Sequence, residues 1–385
     1  MPKPKEAIQL LPSSAYYSEH WHQREKAELF SRSWTLAGML SDFTRPGDYR
    51  TVQVGHCPLV VLRDQQGELV AFHNICRHRG MELLEGVGNT AQGIRCPYHY
   101  WHYGLDGSLR GMPREKELFP GLERASRSLS PASVGVVDQM VFVNPQARPE
   151  ESFEDWLASA GKNLWPHNLD NLAEIRPTRY EIGCNWKVFV ENAIDAYHLS
   201  YLHAATLAGP DALDMDWIAA GRHWIFIAQG ADTEQRTDSN VPLIPEFDAK
   251  GGGPLVWWFF PNVGVLATSV FWSVFVVVPK DAERCWVDVR TWISAEPGAE
   301  KAFRQLFPGT GKQPPNGGSV VLGDLDGHAM DSGDFMIEDM WVCEKIQRNL
   351  RSPSYHVDRL AHNAESSMTF FQRNLLDFVP LEFDS

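Results

Sequence analysis

The sequence predicts an α+β protein in two parts, and three observations carry that reading. A stretch of short β-rich runs with tight turns occupies residues 35–144, then gives way to strands mixed with helices. The strands of the second part are long and aromatic, with hairpin-like spacing, which favours an antiparallel sheet. The chain has 385 residues, long for a single core.

Composition excludes several classes. With 43% hydrophobic residues the chain readily builds a core, so it is not disordered. A formal charge of −14 argues against nucleic-acid binding, which needs clustered Lys and Arg. Before Pro12 and Ser13 there is no apolar run of signal-peptide length, so a cytoplasmic protein is expected.

Residues 16–34 (YYSEHWHQREKAELFSRSW) carry apolar groups at helical spacing, and the expectation is one opening helix. The β-rich part follows, in YRTVQVGHCPLVVLRD, GELVAFHN and VGVVDQMVFVNP, punctuated by QQG and NPQ. Pro145 to Glu151 reads as a connector, and SFEDWLASAGKNL as a helix. Beyond it come the strands RPTRYEIG, HWIFIAQG and CWVDVRTWIS, with helices near 187–203 and 335–350. Residues 205–253, with AGPDALDMD, TEQRTDSN and AKGGGP, suggest lid or access loops. Residues 254–279 hold no charge, and their length alone would suit a membrane helix. Pro261, Asn262 and Gly264 interrupt them, so two buried antiparallel strands joined by a PNVG turn are expected, with no membrane span.

Two Cys/His pairs stand out. HNICRHRG offers Cys76 and His78, and CPYHYWHYGLDGSL offers Cys96 and His99. Two cysteines with two histidines would ordinarily suggest zinc, whose fingers pair like with like. Here each loop supplies one thiolate and one imidazole. That suits a Rieske-type [2Fe–2S] cluster, with both thiolates on one iron and both imidazoles on the other. Gly80 turns the first loop, and Pro97, Gly104 and Gly107 the second. His73 and His102 fall outside the pattern and read as packing or outer partners, with Trp101 and Tyr103 as cover against water. Cys57, Cys184, Cys285 and Cys343 are scattered singly and read as buried, reduced thiols.

A second constellation lies in CNWKVFVENAIDAYHLSYLH, where Asp195, His198 and His203 are spaced D-x2-H-x4-H. Two histidines with a carboxylate form the facial triad of mononuclear iron(II), which leaves positions open for O2. Five residues of regular helix rotate the histidines apart by about 140°. An irregularity near Leu199 to Leu202 is therefore expected: a π-type turn, or one histidine at a frayed helix end. Asp195, one turn before His198, reads as its hydrogen-bond partner and as the coupling element toward the other cluster. Glu191 is either an extension of that network or a solvated helix charge. For the third ligand Asp331, Asp334, Glu338, Asp339 and Glu344 are all candidates, with Asp339 slightly ahead because it opens an apolar-periodic helix.

The chain resembles the oxygenase α subunits of the Rieske non-haem iron ring-hydroxylating oxygenases from about Tyr16 to Gln347. CRHRG with CPYH…YGLDG matches that family's Rieske signature, and NWK with E-x3-D-x2-H-x4-H its mononuclear iron signature. Glu338, Asp339, Glu344 and Gln347 fit its E-D-x4-E-x2-Q pattern, and the resemblance implies Asp339 as third ligand beside His198 and His203. It implies an all-β Rieske domain (36–148) and a helix-grip-like catalytic domain (149–385) on which an N-terminal helix (1–35) packs. It also implies a homotrimer, with electrons passing from His99 of one subunit through Asp195 to His198 of the next. A separate NAD(P)H-dependent reductase or ferredoxin is implied as donor, because no dinucleotide fingerprint is present; GGGP at 251 lies in a loop.

Two departures matter. Tyr100 stands where the family has glycine. Asp195 stands where some members acting on trimethylammonium compounds carry glutamate, which weakens, without removing, a betaine- or carnitine-like reading. Val190, Ile194 and Leu202, with the aromatic strands 256–275, would line an apolar pocket. The resulting expectation is hydroxylation of a small aromatic or heteroaromatic substrate. The alternatives are N-oxygenation or oxidative demethylation of a small amine or quaternary ammonium compound, or, from other classes, a Rieske electron carrier or a zinc-stabilised binding protein.

Overall fold

The computed structural model describes residue 4 and residues 6–161, 169–207, 215–228, 241–244, 255–307 and 318–382. Most of the expected lid segment, 205–253, and the helix's predicted end at 162–164 lie outside these residues. The chain forms two compact units, Arg24–Leu157 and a second made of Met1–Gln23 with Ala158–Ser385. Among the described residues no helix is long and apolar enough to cross a membrane.

In the Arg24–Leu157 unit, seven antiparallel strands run in the order Thr35–Met39, Met140–Asn144, Pro131–Val137, Leu69–His73, Cys57–Arg63, Asp48–Val54 and Val87–Asn89. A three-stranded sheet, Ile94–Arg95, His102–Tyr103 and Leu109–Gly111, carries the second Cys/His loop. Leu62, Phe72, Ile94, Tyr103, Leu105 and Leu109 pack with Cys76 and Cys96 in one core cluster. The two cysteines are thus fixed by the same apolar packing that closes the unit. The helix Phe153–Gly161 seals the far end, where Phe153 meets Trp34 edge-on at 5.0 Å and Phe142 at 5.8 Å.

The other unit is a seven-stranded antiparallel sheet in the order Leu172–Ile182, Arg284–Ser294, Phe271–Asp281, Val263–Ala267, Leu255–Phe259, His223–Ala228 and Met215–Ala220. The uncharged run at 254–279 forms three strands, not the expected two. The PNVG turn separates the first pair, but Thr268 closes a second tight turn by accepting the Phe271 N–H. That turn needs only a hydroxyl, so no Gly or Pro announces it. The helix Trp186–Ala193 is mostly buried, Phe335–Asn349 buries one face, and Ser366–Leu376 packs Phe371 edge-on against Trp186 at 5.7 Å.

The opening helix also departs from expectation. Residues 19–24 are α-helical, 25–29 form a π-helical turn and 30–32 a 3-10 turn. Glu25 is fully buried within the π turn, so the extra residue keeps side chains inward that a regular helix would rotate away.

Gly264 marks a point of tight packing. A Cβ there would lie 2.1 Å from the Phe275 ring, its cross-strand partner. Gly264→Ala should lower stability by about 1–3 kcal/mol through overpacking, read as a lower urea midpoint at unchanged slope.

Candidate metal centres

Each Cys/His loop in the Arg24–Leu157 unit is closed in the same way. The Gly80 N–H donates to Cys76 O, and the Tyr100 N–H to Cys96 O, both at 3.0 Å. Both closing residues have positive φ, 78° at Gly80 and 58° at Tyr100. The second loop therefore holds a tyrosine in a conformation that favours glycine. Its side chain is 60% exposed, so packing does not hold it there. The loops bring the His78 and His99 rings to 4.6 Å, with His78 stacked on Trp101 at 4.8 Å. Cys76 and Cys96 are buried. The Tyr103 hydroxyl accepts the Arg77 N–H at 3.0 Å, leaving its own proton for Cys76 Sγ at 3.3 Å.

The donor set fits an iron–sulfur cluster. His78 Nδ1 is buried without a hydrogen-bond partner. Burial, the neighbouring His99 and the guanidiniums of Arg79 and Arg127 hold this imidazole below its usual pKa, which keeps it neutral. A neutral imidazole whose buried Nδ1 lacks a partner, beside two thiols, could serve as a metal ligand. By contrast His73 and His102 bond the carbonyls of Pro145 and Gln92 at 3.0 and 2.9 Å, so their rings are committed elsewhere.

In the other unit Asn185 caps the helix Trp186–Ala193, accepting the Lys187 N–H and donating to Ala282 O. The helix stops at Ile194, whose carbonyl accepts from Ser367 Oγ at 2.8 Å. Asp195 Oδ1 then takes the Tyr197 N–H at 2.6 Å, turning the chain. The continuous helix expected over 187–203 is therefore broken, and a four-residue helix, Leu199–Leu202, begins anew. His198 and His203 are its two end residues. The histidines meet because each leaves a helix end; no π turn is involved.

His198 Nε2 and His203 Nε2 lie 3.2 Å apart, and Asp339 Oδ1 lies 3.0 Å from His203 Nε2 and 3.6 Å from His198 Nε2. These three residues form the metal-sized cluster among the described residues. Ligands about 2.1 Å from one ion and at right angles to each other sit about 3 Å apart, so the spacing suits a single metal. Two ring nitrogens at 3.2 Å cannot both point protons at each other. Burial disfavours a charged His198, yet the neighbouring carboxylates of Asp195 and Asp339 raise its pKa to about 10. Against the same burial, both imidazoles hold the Asp339 carboxyl well below the usual carboxylate range. The site attracts positive charge, whether a proton or a metal ion.

Asp195 Oδ2 is 3.2 Å from His198 Nδ1, near enough for an ion pair but off line for a hydrogen bond. Asp339 sits in the second turn of its helix; Asp334 is the cap, accepting the Met336 N–H. The other carboxylates have separate tasks. Glu344 accepts the Gly183 N–H at 3.0 Å, and Asp331 closes a short 3-10 turn. Glu338, a rival for third ligand on sequence, instead takes His203 Nδ1 at 2.6 Å. Adjacency to Asp339 was the signal: neighbouring helix residues diverge by about 100°, so one faces the two Nε2 atoms and the other the far side of an imidazole. Val190 and Ile194 are fully buried and Leu202 is half-buried. Cys57, Cys184, Cys285 and Cys343 are free thiols.

Glu191 is no solvated charge. It is buried, accepting from the Tyr16 hydroxyl at 2.7 Å and Gln372 Nε2 at 2.8 Å. It thereby ties the N-terminal segment and the last helix to the helix that leads into Asp195.

Residues 33–126 match the Rieske [2Fe-2S] domain, and residues 169–381 match the ring hydroxylating alpha subunit (catalytic domain). The chain belongs to the ring-hydroxylating oxygenase alpha-subunit family and is a Rieske-type oxygenase, an oxidoreductase with a Rieske cluster domain and a mononuclear-iron type catalytic domain. It is 27% identical to the chloroplastic choline monooxygenase of Beta vulgaris over 94% of this chain and 75% of that protein. It is 30% identical to the glycine betaine monooxygenase oxygenase subunit of Pseudomonas aeruginosa over 51% of this chain and 45% of that one. Among solved structures, the quaternary ammonium Rieske monooxygenase CntA with L-carnitine superposes with TM-score 0.76 at 22% identity, covering 97% of this chain and 96% of that one. Naphthalene 1,2-dioxygenase from Rhodococcus sp. gives 0.74 at 20% identity, covering 97% and 95%.

Burial pushes the Glu191 carboxyl up to about 7, against the pull of its Tyr16 and Gln372 hydrogen bonds. A folded-state pKa above the unfolded one means the folded state keeps its proton longer. This contribution is full below pH 4.5 and is lost as pH rises through about 7. Glu191→Gln should flatten the fall in melting temperature between pH 5 and 8, a difference on the order of 3 kcal/mol. Parallel melting curves for the two proteins would refute the raised carboxyl.

Proposed function

We propose that this chain is the terminal oxygenase of a system that uses O2 and electrons from a separate NAD(P)H-dependent reductase or ferredoxin to oxidise a small quaternary ammonium compound. The convergence of His198, His203 and Asp339 carries the oxygenase part. In this reading those three residues hold Fe(II), while Cys76, His78, Cys96 and His99 hold the [2Fe–2S] cluster. When bound, the iron supplies O2 activation and the cluster supplies the electrons.

The substrate class replaces the aromatic expectation. The curated relatives aligned over most of the chain are choline monooxygenases, and those over half of it act by name on glycine betaine. Support for an aromatic ring is limited to a fold likeness with naphthalene dioxygenase. The aromatic strands that suggested an apolar pocket are core strands, with Trp257, Trp258 and Phe259 almost fully buried in the sheet. Charge points the same way. The Arg24–Leu157 unit has 15 basic and 17 acidic residues, so nearly all of the −14 belongs to the catalytic unit. A strongly acidic catalytic unit attracts cationic groups such as a quaternary ammonium. Aspartate at position 195 departs from the glutamate of trimethylammonium-specific members without altering that attraction.

The residues around the iron site have separable roles. Asp195 holds the Nδ1 side of His198, which leaves Nε2 free to face Asp339. Its side chain is 16% exposed, so it can reach outward to a neighbouring His99 in a closed ring of three copies.

Two experiments test this reading. With NADH and a surrogate reductase, choline, glycine betaine, carnitine and γ-butyrobetaine are compared with naphthalene and indole. Substrate-dependent O2 uptake with an oxidised or demethylated ammonium product is expected; turnover confined to the aromatics would overturn the substrate class. Asp195→Asn should keep both metals and lower turnover by roughly 10–100-fold. Unchanged turnover at full metal content would remove Asp195 from the electron path.

A further inference from the structure

Glu338 is a buried carboxylate that the proposed ligand set does not use. Its side chain is fully buried. Oε2 accepts from His203 Nδ1 at 2.6 Å and from Thr206 Oγ1 at 2.8 Å, while Oε1 is buried with no hydrogen-bond partner. Among the described residues its ion-pair partner is His203 alone; no Lys or Arg pairs with it. A carboxylate kept from water with half its acceptor capacity unused is costly unless positive charge stands nearby. The only such charge the geometry offers is the imidazole and whatever lies beyond its far nitrogen.

We propose that Glu338 is the positioning residue of the mononuclear metal site. It locks His203 in the Nδ1–H tautomer and supplies the second negative charge that a divalent ion requires. With Nδ1–H donated to Glu338, the His203 lone pair lies on Nε2, the atom 3.0 Å from Asp339 Oδ1 and 3.2 Å from His198 Nε2. The opposite tautomer would place a proton where the metal must bind. Thr206 holds Oε2 in place, so the carboxylate cannot rotate away from the ring. Asp339 and Glu338 together match the charge of a divalent ion, one by direct approach and the other through the imidazole. Adjacent positions on one helix thus serve the two sides of a single histidine.

This inference rests on the reading that His198, His203 and Asp339 hold the metal, and the test separates the two. The full chain, with its iron–sulfur cluster loaded, is stripped of mononuclear iron and titrated with Co(II) against a chromophoric chelator; cluster absorbance reports the folded concentration. Melting of the stripped protein is measured in parallel. His203→Ala should abolish the Co(II) site. Glu338→Gln should weaken Co(II) binding about 10–100-fold, while the cluster absorbance of the stripped variant still reports a folded chain. Thr206→Val should weaken binding less than Glu338→Gln, and it decides the matter alone if Glu338→Gln does not fold. Wild-type affinity in Glu338→Gln, or in Thr206→Val where only that variant folds, overturns the proposal. So does a lower melting temperature of stripped Glu338→Gln with affinity unchanged, which would make Glu338 a packing residue. If the wild-type chain has no Co(II) site that His203→Ala removes, the metal reading itself fails.

Discussion

Charged groups deep in a protein core survive only if they neutralise one another, and the catalytic unit is arranged around that constraint. Asp339, Glu338, His198 and His203 form one interlocked set, with contacts of 2.6–3.6 Å. Neither carboxylate would be tolerated there without the imidazoles, and the imidazoles would not face each other without a shared cation. The surrounding elements keep this set in place. Asn185 starts the first helix, Ser367 and Asp195 end and redirect it, and Asp334 caps the helix bearing both acids. Breaking the helix at Ile194 forgoes backbone hydrogen bonds, but it lets two histidines five residues apart share one centre.

The Arg24–Leu157 unit solves a different problem with repetition. Two loops of like closure each present a cysteine inward and a histidine toward the rim, over one apolar cluster. The loops differ in their fifth residue, Gly80 against Tyr100. A bulky residue with positive φ stores strain on the order of 1 kcal/mol. Tyr100 is mostly exposed, so the strain is offset by nothing in the unit itself.

Much of this was legible in the sequence, and the reasons for the exceptions are physical. Tight Cys/His spacing on turns singled out Cys76, His78, Cys96 and His99, which the structure brings together, because local geometry leaves few alternatives. Asp195, His198 and His203 were legible by spacing, and so was the need for an irregularity between the two histidines. Its form was not, because Ser367 and the last helix impose the break from far along the chain. Glu338 and Asp339 could not be assigned by pattern alone, since which neighbour faces the ion depends on helix phase. The burial of Glu191 was hidden for a similar reason: its partners Tyr16 and Gln372 are 175 and 181 residues away. The third strand within 254–279 was missed because a threonine makes that turn. Substrate class was the least legible feature, because buried aromatic strands look the same whether they line a pocket or fill a core.

The central proposal is that the catalytic unit holds a single iron at His198, His203 and Asp339, independent of the cluster in the other unit. Iron and acid-labile sulfide counted per chain, in the native protein and in His203→Ala, test it most directly. The expected result is two sulfides in both proteins, with one iron beyond the cluster's two in the native chain and none in the variant, whose cluster spectrum is unchanged. An equal iron count in the two proteins, or no iron beyond the cluster in either, would contradict it.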